Sequence, residues 1–269
     1  MNARSTPRLI ETGRRRGRRP IKVALKFEPV RRETVVDRVH AQLRDLVIRG
    51  ELRPGVTYTI RGLAQALGTS AMPIRSVLQM LVAEGALETL PNRSVRVPLV
   101  SAQRYEQLCA IRAVLEGLAG SIAASKGSRA LVRKLETLNS SYAAAIARGD
   151  RQRIFNANRS FHFELYAHSE APTLVRLIET VWLWTGPYVN VTFANRTASA
   201  AAVLNHKRII RAIAHRDAIQ CRTAIERDIL EAGEFTVREL RKESEADGAA
   251  WSRHESARLN VLAHAALRR

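Results

Sequence analysis

Asn158 and His162 stand four residues apart in a stretch whose apolar residues recur at helical spacing. Both side chains therefore lie on one face and can converge on a single point. His206, near the start of a later helical segment, offers a second imidazole. Two imidazoles and an amide oxygen can hold a borderline divalent ion, zinc-like or nickel-like, with positions left open for water or a ligand. The same residues can also form an ordinary polar pocket, its histidines satisfied by hydrogen bonds, and both readings stand at this stage. His168 and His215 fall on helix surfaces. Cys109 and Cys221, the only cysteines, sit inside apolar helical patterns. They permit neither a disulfide framework nor a paired-cysteine zinc motif, and a reducing cytoplasm is the expected compartment.

The second chemical signal is charge. Lys and Arg number 44 against 25 Asp and Glu, a formal net charge of +19 over 269 residues. Such an excess calls for a polyanionic partner, nucleic acid or an anionic membrane surface. No secretory signal is visible, and no stretch is expected to reach the length of a membrane span, so no membrane partner is expected. Hydrophobic residues are 46% of the chain and aromatics 5%, with abundant Ala, Leu and Arg, a balance that favours helices packed around a core.

Four regions follow. Residues 1–32 read as a basic, disordered tail centred on Gly13-Arg14-Arg15-Arg16-Gly17-Arg18-Arg19-Pro20. That run resembles an AT-hook with one Arg too many, or is a nonspecific phosphate-binding arm. In residues 33–99, Val35, Val39, Leu43, Leu46 and Val47 predict a first helix, and Val56 to Ile60 a short strand. Arg61 to Leu67 predicts a second helix closed by Gly68, and Thr69 or Ser70 caps a third whose buried face is Ile74, Val77, Leu78 and Leu81. Leu87 to Val97 reads as a hairpin around Pro91-Asn92-Arg93. This order is that of a winged helix-turn-helix, in which the N-terminal residues of the third helix meet base edges in the major groove. Those residues are Ser70, Ala71, Met72 and Arg75. Arg61 is placed for a phosphate or a guanine, and Arg93 at the wing tip for the minor groove or backbone.

Residues 100–242 are predicted to be an all-helical bundle. Tyr105, Leu108, Ile111, Leu115, Leu118 and Ile122 mark its first helix. Further helices are expected near 129–147, 151–168, 171–185, 200–215 and 217–241, with Asp150 and Asp217 as N-caps. Residues 243–269 form a C-terminal extension, either a further helix or a loose tail. The fold class is mainly α.

Several runs resemble the GntR family: Gly50-Glu51-Leu52-Arg53-Pro54-Gly55, then Leu63 through Gly68, then Ser70 with Pro73-Ile74-Arg75 and Leu78. Glu84-Gly85-Ala86-Leu87 and Pro91-Asn92-Arg93 extend the resemblance over about 65 residues. It implies operator contacts for Arg61, Ser70, Arg75, Asn92 and Arg93. Ala71 stands where the family usually carries Arg, and Ser76 where it commonly carries Glu. An Arg there would read guanine, a contact worth about 1–3 kcal/mol, so an altered half-site is expected.

Arg112, Leu115-Glu116, Ala119 and Ala123-Ala124, followed by Asp150, Phe161-His162 and His206, resemble the FadR-type subfamily with an FCD C-terminal domain. The resemblance implies a homodimer that binds a palindromic double-stranded DNA operator and senses a small carboxylate effector, with Arg112 an effector contact. It also implies a divalent metal held by Asn158, His162, His206 and Asp228. Asp228 stands where the family has a last His, and Asn158 where many members have Asp. Two other functions remain in view. The chain could be an architectural DNA-binding protein, or a metal-dependent enzyme using the helical site, although no nucleophile elbow, phosphate loop or paired-carboxylate motif accompanies that site.

Overall fold

A computed structural model describes residues 8–11, 22–25, 34–189 and 196–266. Within the N-terminal basic segment, β1 (Arg8–Glu11) pairs antiparallel with β2 (Lys22–Leu25). The Gly13 to Pro20 run lies outside the described residues.

The N-terminal unit begins at Thr34, whose hydroxyl accepts from the Asp37 backbone N–H while the Asp37 carboxylate accepts from that of Thr34. This reciprocal cap starts α1 (Val35–Ile48), which buries Val39, Leu43, Val47 and Ile48. β3 (Thr57–Tyr58) leads into α2 (Ile60–Ala66), and α3 (Ala71–Ala83) follows across Gly68. Gly68 has φ +60° with no atom near a would-be Cβ, so backbone conformation, not space, favours glycine there. β4 (Glu88–Thr89) and β5 (Val95–Arg96) form the wing, and the sheet order is β3-β5-β4, all antiparallel. Ile74, Val77, Leu78 and Leu81 point from α3 into the core, as their spacing predicts. Ser70 occupies the N-cap position, but its hydroxyl makes no capping hydrogen bond.

The second unit is a helical bundle: α4 (Ala102–Ser125), α5 (Arg129–Arg148), α6 (Arg151–Ala167), α7 (Pro172–Thr185), α8 (Arg196–Ala214) and α9 (Ala218–Ala266). Asp150 caps α6 through the Arg153 N–H, and the Asp217 carboxylate accepts from the Gln220 N–H at the start of α9. Helix α9 runs without a break through 243, so the expected C-terminal extension continues the preceding helix as far as Ala266.

Helix α4 departs from expectation in two ways. It is long and apolar enough, by length and composition, to cross a membrane, although half of its most apolar stretch is buried in the molecule. Its buried face is also only partly the one that the large apolar residues marked. Tyr105 and Leu108 face inward as expected, and Leu115 and Ile122 are half-buried. Cys109, Ala113, Gly117, Ala119, Gly120, Ala123 and Ala124 make up the rest of the inner face, while Ile111, Val114 and Leu118 are 47%, 55% and 42% exposed. The cause is close approach of α9. A Cβ added at Gly120 would lie 2.0 Å from Ile225, and one at Gly233 would lie 2.6 Å from the Cys109 sulfur. Only small side chains fit that seam.

Candidate metal centre and nucleic-acid interface

Helix α4 contributes Glu116, a fully buried carboxylate 0% exposed. Such a charge is tolerated only when paired and hydrogen-bonded. Arg112, one turn earlier, donates through Nε at 2.7 Å and through Nη2 at 3.4 Å. Trp182 from α7 donates its indole N–H at 3.0 Å, and Tyr166 from α6 donates its hydroxyl. Arg112 also lies over the Trp182 ring, 4.7 Å from its centroid. Burial opposes the Arg112 charge, but Glu116 more than offsets it and holds the guanidinium above its usual value. Burial likewise pushes the Tyr166 phenol well up, with Glu116 adding to the effect.

The network continues to His162. Because the Tyr166 proton goes to Glu116, its oxygen accepts from His162 Nδ1, 3.1 Å away. His162 Nε2 then faces the Asp228 carboxylate at 3.2 Å. On the other side, His206 Nδ1 donates to Asn139 Oδ1 at 3.0 Å, and the Asn139 amide N–H bond to Val203 O fixes that orientation. His206 Nε2 is left as a bare, buried lone pair with no hydrogen-bond partner among the described residues, 3.9 Å from Asp228. Phe161 stacks on the His206 ring at 3.9 Å and locks its plane. Burial drives His206 down to about 3, against the pull of Asp228. Burial alone would raise Asp228, but the two histidines beside it hold its carboxyl below the usual value.

Ligand atoms from His162, His206 and Asp228 all lie within 4.8 Å of one another. Ligands about 2.1 Å from one ion are themselves roughly 3.0–3.4 Å apart, so a small contraction would close the set. The donor chemistry fits a cation: two imidazole nitrogens whose opposite N–H groups are held by neighbours, plus a carboxylate. Asn158 lines the same cavity, one turn before His162, as do Arg112, Trp182, Thr185 and Gly186. The cavity is small, about 60 Å³, under half of the roughly 150 Å³ that holds a benzene ring. All four expected ligands and Arg112 thus come to one place. Sequence reasoning missed Glu116, Asn139, Tyr166 and Trp182 as parts of the site. A Tyr or Trp that must bury a polar tip was the one available signal. His168 and His215 each bond a carbonyl one turn back on their own helix, away from the cavity.

The end of α7 joins this cavity to the N-terminal unit. Thr185 and Gly186 line the cavity. Between Trp182 and Thr185, the Trp184 indole turns the other way and donates to the Glu84 carbonyl at 2.8 Å. Glu84 is the C-cap of α3. Gly186 lies against the end of α1, where an added Cβ would come within 2.4 Å of the Ile48 carbonyl oxygen. Tyr188 accepts from Val100 N–H at 2.8 Å and donates to the Pro98 carbonyl at 3.0 Å. Arg159 on α6 pairs with Asp45 on α1 at 2.9 Å.

On the opposite side of the N-terminal unit, Ala71, Met72, Arg75, Ser76 and Gln79 form the exposed face of α3. Arg75 and Arg93 line one groove between α3 and the wing. Arg61, Arg75 and Arg93 are exposed and have no ion-pair partner among the described residues. Arg93 sits at the wing tip with φ 61°, in the left-handed region. Asn92 serves the turn, its Oδ1 accepting from the Ser94 backbone N–H at 3.1 Å and from the Ser94 hydroxyl.

Residues 35–97 match the family described as bacterial regulatory proteins, gntR family, and residues 107–231 match the FCD domain. The chain is similar to the HTH-type transcriptional regulator McbR of Escherichia coli strain K12, 28% identical over 186 residues, covering 68% of this chain and 84% of that protein. It is 30% identical over 145 residues to a "Probable D-xylose utilization operon transcriptional repressor" of Paenarthrobacter nicotinovorans, covering 51% of this chain and 62% of that one. The solved structure of E. coli McbR/YncC superposes with a TM-score of 0.71 at 26% identity, over 79% of this chain and 100% of that one.

Proposed function

The chain belongs to the GntR family of bacterial regulatory proteins, with an FCD domain behind its DNA-binding unit, and from that premise we propose a ligand-responsive repressor. Its named relatives are regulators of transcription, not enzymes. Two copies bind a two-fold-related operator in the cytoplasm, each laying α3 in a major groove. Arg61, Ser70, Ala71, Met72, Arg75, Asn92 and Arg93 form the reading surface. Support for the homodimer is the apolar stripe of Ile111, Val114 and Leu118, spaced to lie along one face of α4. The ion pairs Arg222–Glu226, against Gly117, and Arg241–Glu106 lie on α4 and α9 beside it. A stripe on one patch, rimmed by both signs of charge, suits a self-complementary contact.

His162, His206, Asp228 and Asn158 would hold a divalent metal, and the metal would supply positive charge for a small carboxylate that Arg112 binds in the same cavity. The observation that carries the ligand response is the double duty of α7. An acid larger than a few heavy atoms has to push the lining of the 60 Å³ cavity apart. That lining includes Thr185 and Gly186, while Trp184 and Gly186 hold the ends of α3 and α1. Effector binding therefore favours a different placement of the reading unit, through a coupling of about 1–3 kcal/mol.

Selection of bound duplexes from random DNA, with and without short-chain organic acids and divalent metal, tests this reading. A discrete two-fold site is expected, released by an acid only when metal is present. Binding without sequence preference, or release indifferent to every acid tried, would overturn it.

A further inference from the structure

Met72 is the most conspicuous side chain on the proposed reading face, because the described residues leave most of it uncovered. It is 73% exposed and is the second residue of α3. Helical spacing puts Met72, Arg75 and Gln79 on one outward stripe, with Met72 nearest the N-terminus that enters the groove first. Its neighbour Ala71 is exposed and has no polar side-chain group. Ser76, one turn on, directs its hydroxyl back to the Met72 carbonyl at 3.4 Å. Past the N-cap, where the Ser70 hydroxyl makes no capping hydrogen bond, the first two residues of the helix therefore present a methyl group and a thioether to the bases in place of side-chain hydrogen-bond donors.

In the major groove, guanine, cytosine and adenine present donors and acceptors, and thymine alone adds a C5-methyl group. A long, flexible, polarisable side chain adapts well to such a group. Resting on the repressor reading above, we infer that Met72 is a specificity-determining residue that reads a thymine methyl in each operator half-site. Arg75, three residues on and free of any ion pair among the described residues, is left to read the hydrogen-bonding edges deeper in the site.

The test removes one methyl group. In the operator selected with the full-length protein, each thymine of one half-site is replaced singly by deoxyuridine, which keeps every hydrogen-bonding group. At one position, wild-type affinity falls about fourfold, the worth of one buried methyl. Met72→Ala protein, still folded because the residue is exposed, binds the same two duplexes equally. Uridine tolerated at every position, a half-site without thymine, or the same discrimination in Met72→Ala would each overturn the assignment while leaving a genuine operator. If no operator can be selected at all, the repressor reading fails and this one with it.

Discussion

Arg61, Arg75 and Arg93 stand in solvent without an acidic partner among the described residues, whereas Arg112 in the bundle is gripped by a fully buried Glu116. The same side chain serves opposite ends in the two regions. A cation meant for a phosphate or a base must be unpaired until the nucleic acid arrives, since displacement of counterions supplies much of the binding free energy. A cation inside a protein must be matched before folding ends, or its desolvation is unaffordable. The outer face that carries these three arginines is therefore, among the described residues, a surface of unmet charges. The cavity is a network in which Glu116, Tyr166 and His162 satisfy one another, while Asn139 holds one nitrogen of His206 and leaves bare the lone pair on the other.

Removing Glu116 should break the contrast most severely. Glu116→Ala leaves the largely buried Arg112 side chain without its partner and strips Tyr166 and Trp182 of their acceptor. The expected loss is about 3–5 kcal/mol in urea unfolding, and an unchanged midpoint would mean that the interior network contributes nothing. On the outer face the reverse is expected. Arg75→Ala should leave the unfolding curve where it is and weaken operator binding by about 5- to 150-fold per half-site in a gel-shift titration, the worth of a bidentate base contact. Equal affinity for operator would remove Arg75 from the reading surface.

The smallest effect sharpens the interior side. Burial lowers His206 from 6.5 to about 3, so the unfolded chain takes up its proton first as pH falls. This contribution is whole above pH 6.5 and is lost progressively towards pH 3. Metal-free protein should lose about 1.4 kcal/mol between pH 7.5 and 5.5, and His206→Gln should not lose that share. A stability profile that is flat over this range in wild type, or identical in the variant, would contradict a neutral, buried His206.

Much of the N-terminal unit was legible because its signals are local. The Gly68 turn, the α3 core face and the wing each depend on residues a few positions apart, whereas the reciprocal Thr34–Asp37 cap was not anticipated and Ser70 makes no capping bond. The bundle was legible in its helix limits but only in part in the face of α4, where Tyr105 and Leu108 are buried as expected. Ile111 and Leu118 were expected to mark the core side of α4, and both are exposed, since α9 comes so near that Gly117 and Gly120 had to face it. The order of helices says nothing about how closely two of them pack.

The cavity shows the same division. His162, His206 and Asp228 could be picked out by type and by family resemblance. The groups that orient them could not, because Glu116 meets Tyr166 across 50 positions and Trp182 across 66. Nor could the two-sided end of α7, where Trp182 faces the cavity and Trp184 holds α3. By itself the sequence determined the order of elements from α1 onward, the Asp150 and Asp217 caps, the Gly68 turn, the excess of positive charge and the outward residues of α3, since all of these follow from composition and short-range periodicity. It did not announce the β1–β2 pair in the basic segment. Tertiary structure alone decided which charges are paired, which lone pair is left bare and which helix joins the two units. Those depend on distances between segments that only packing brings together.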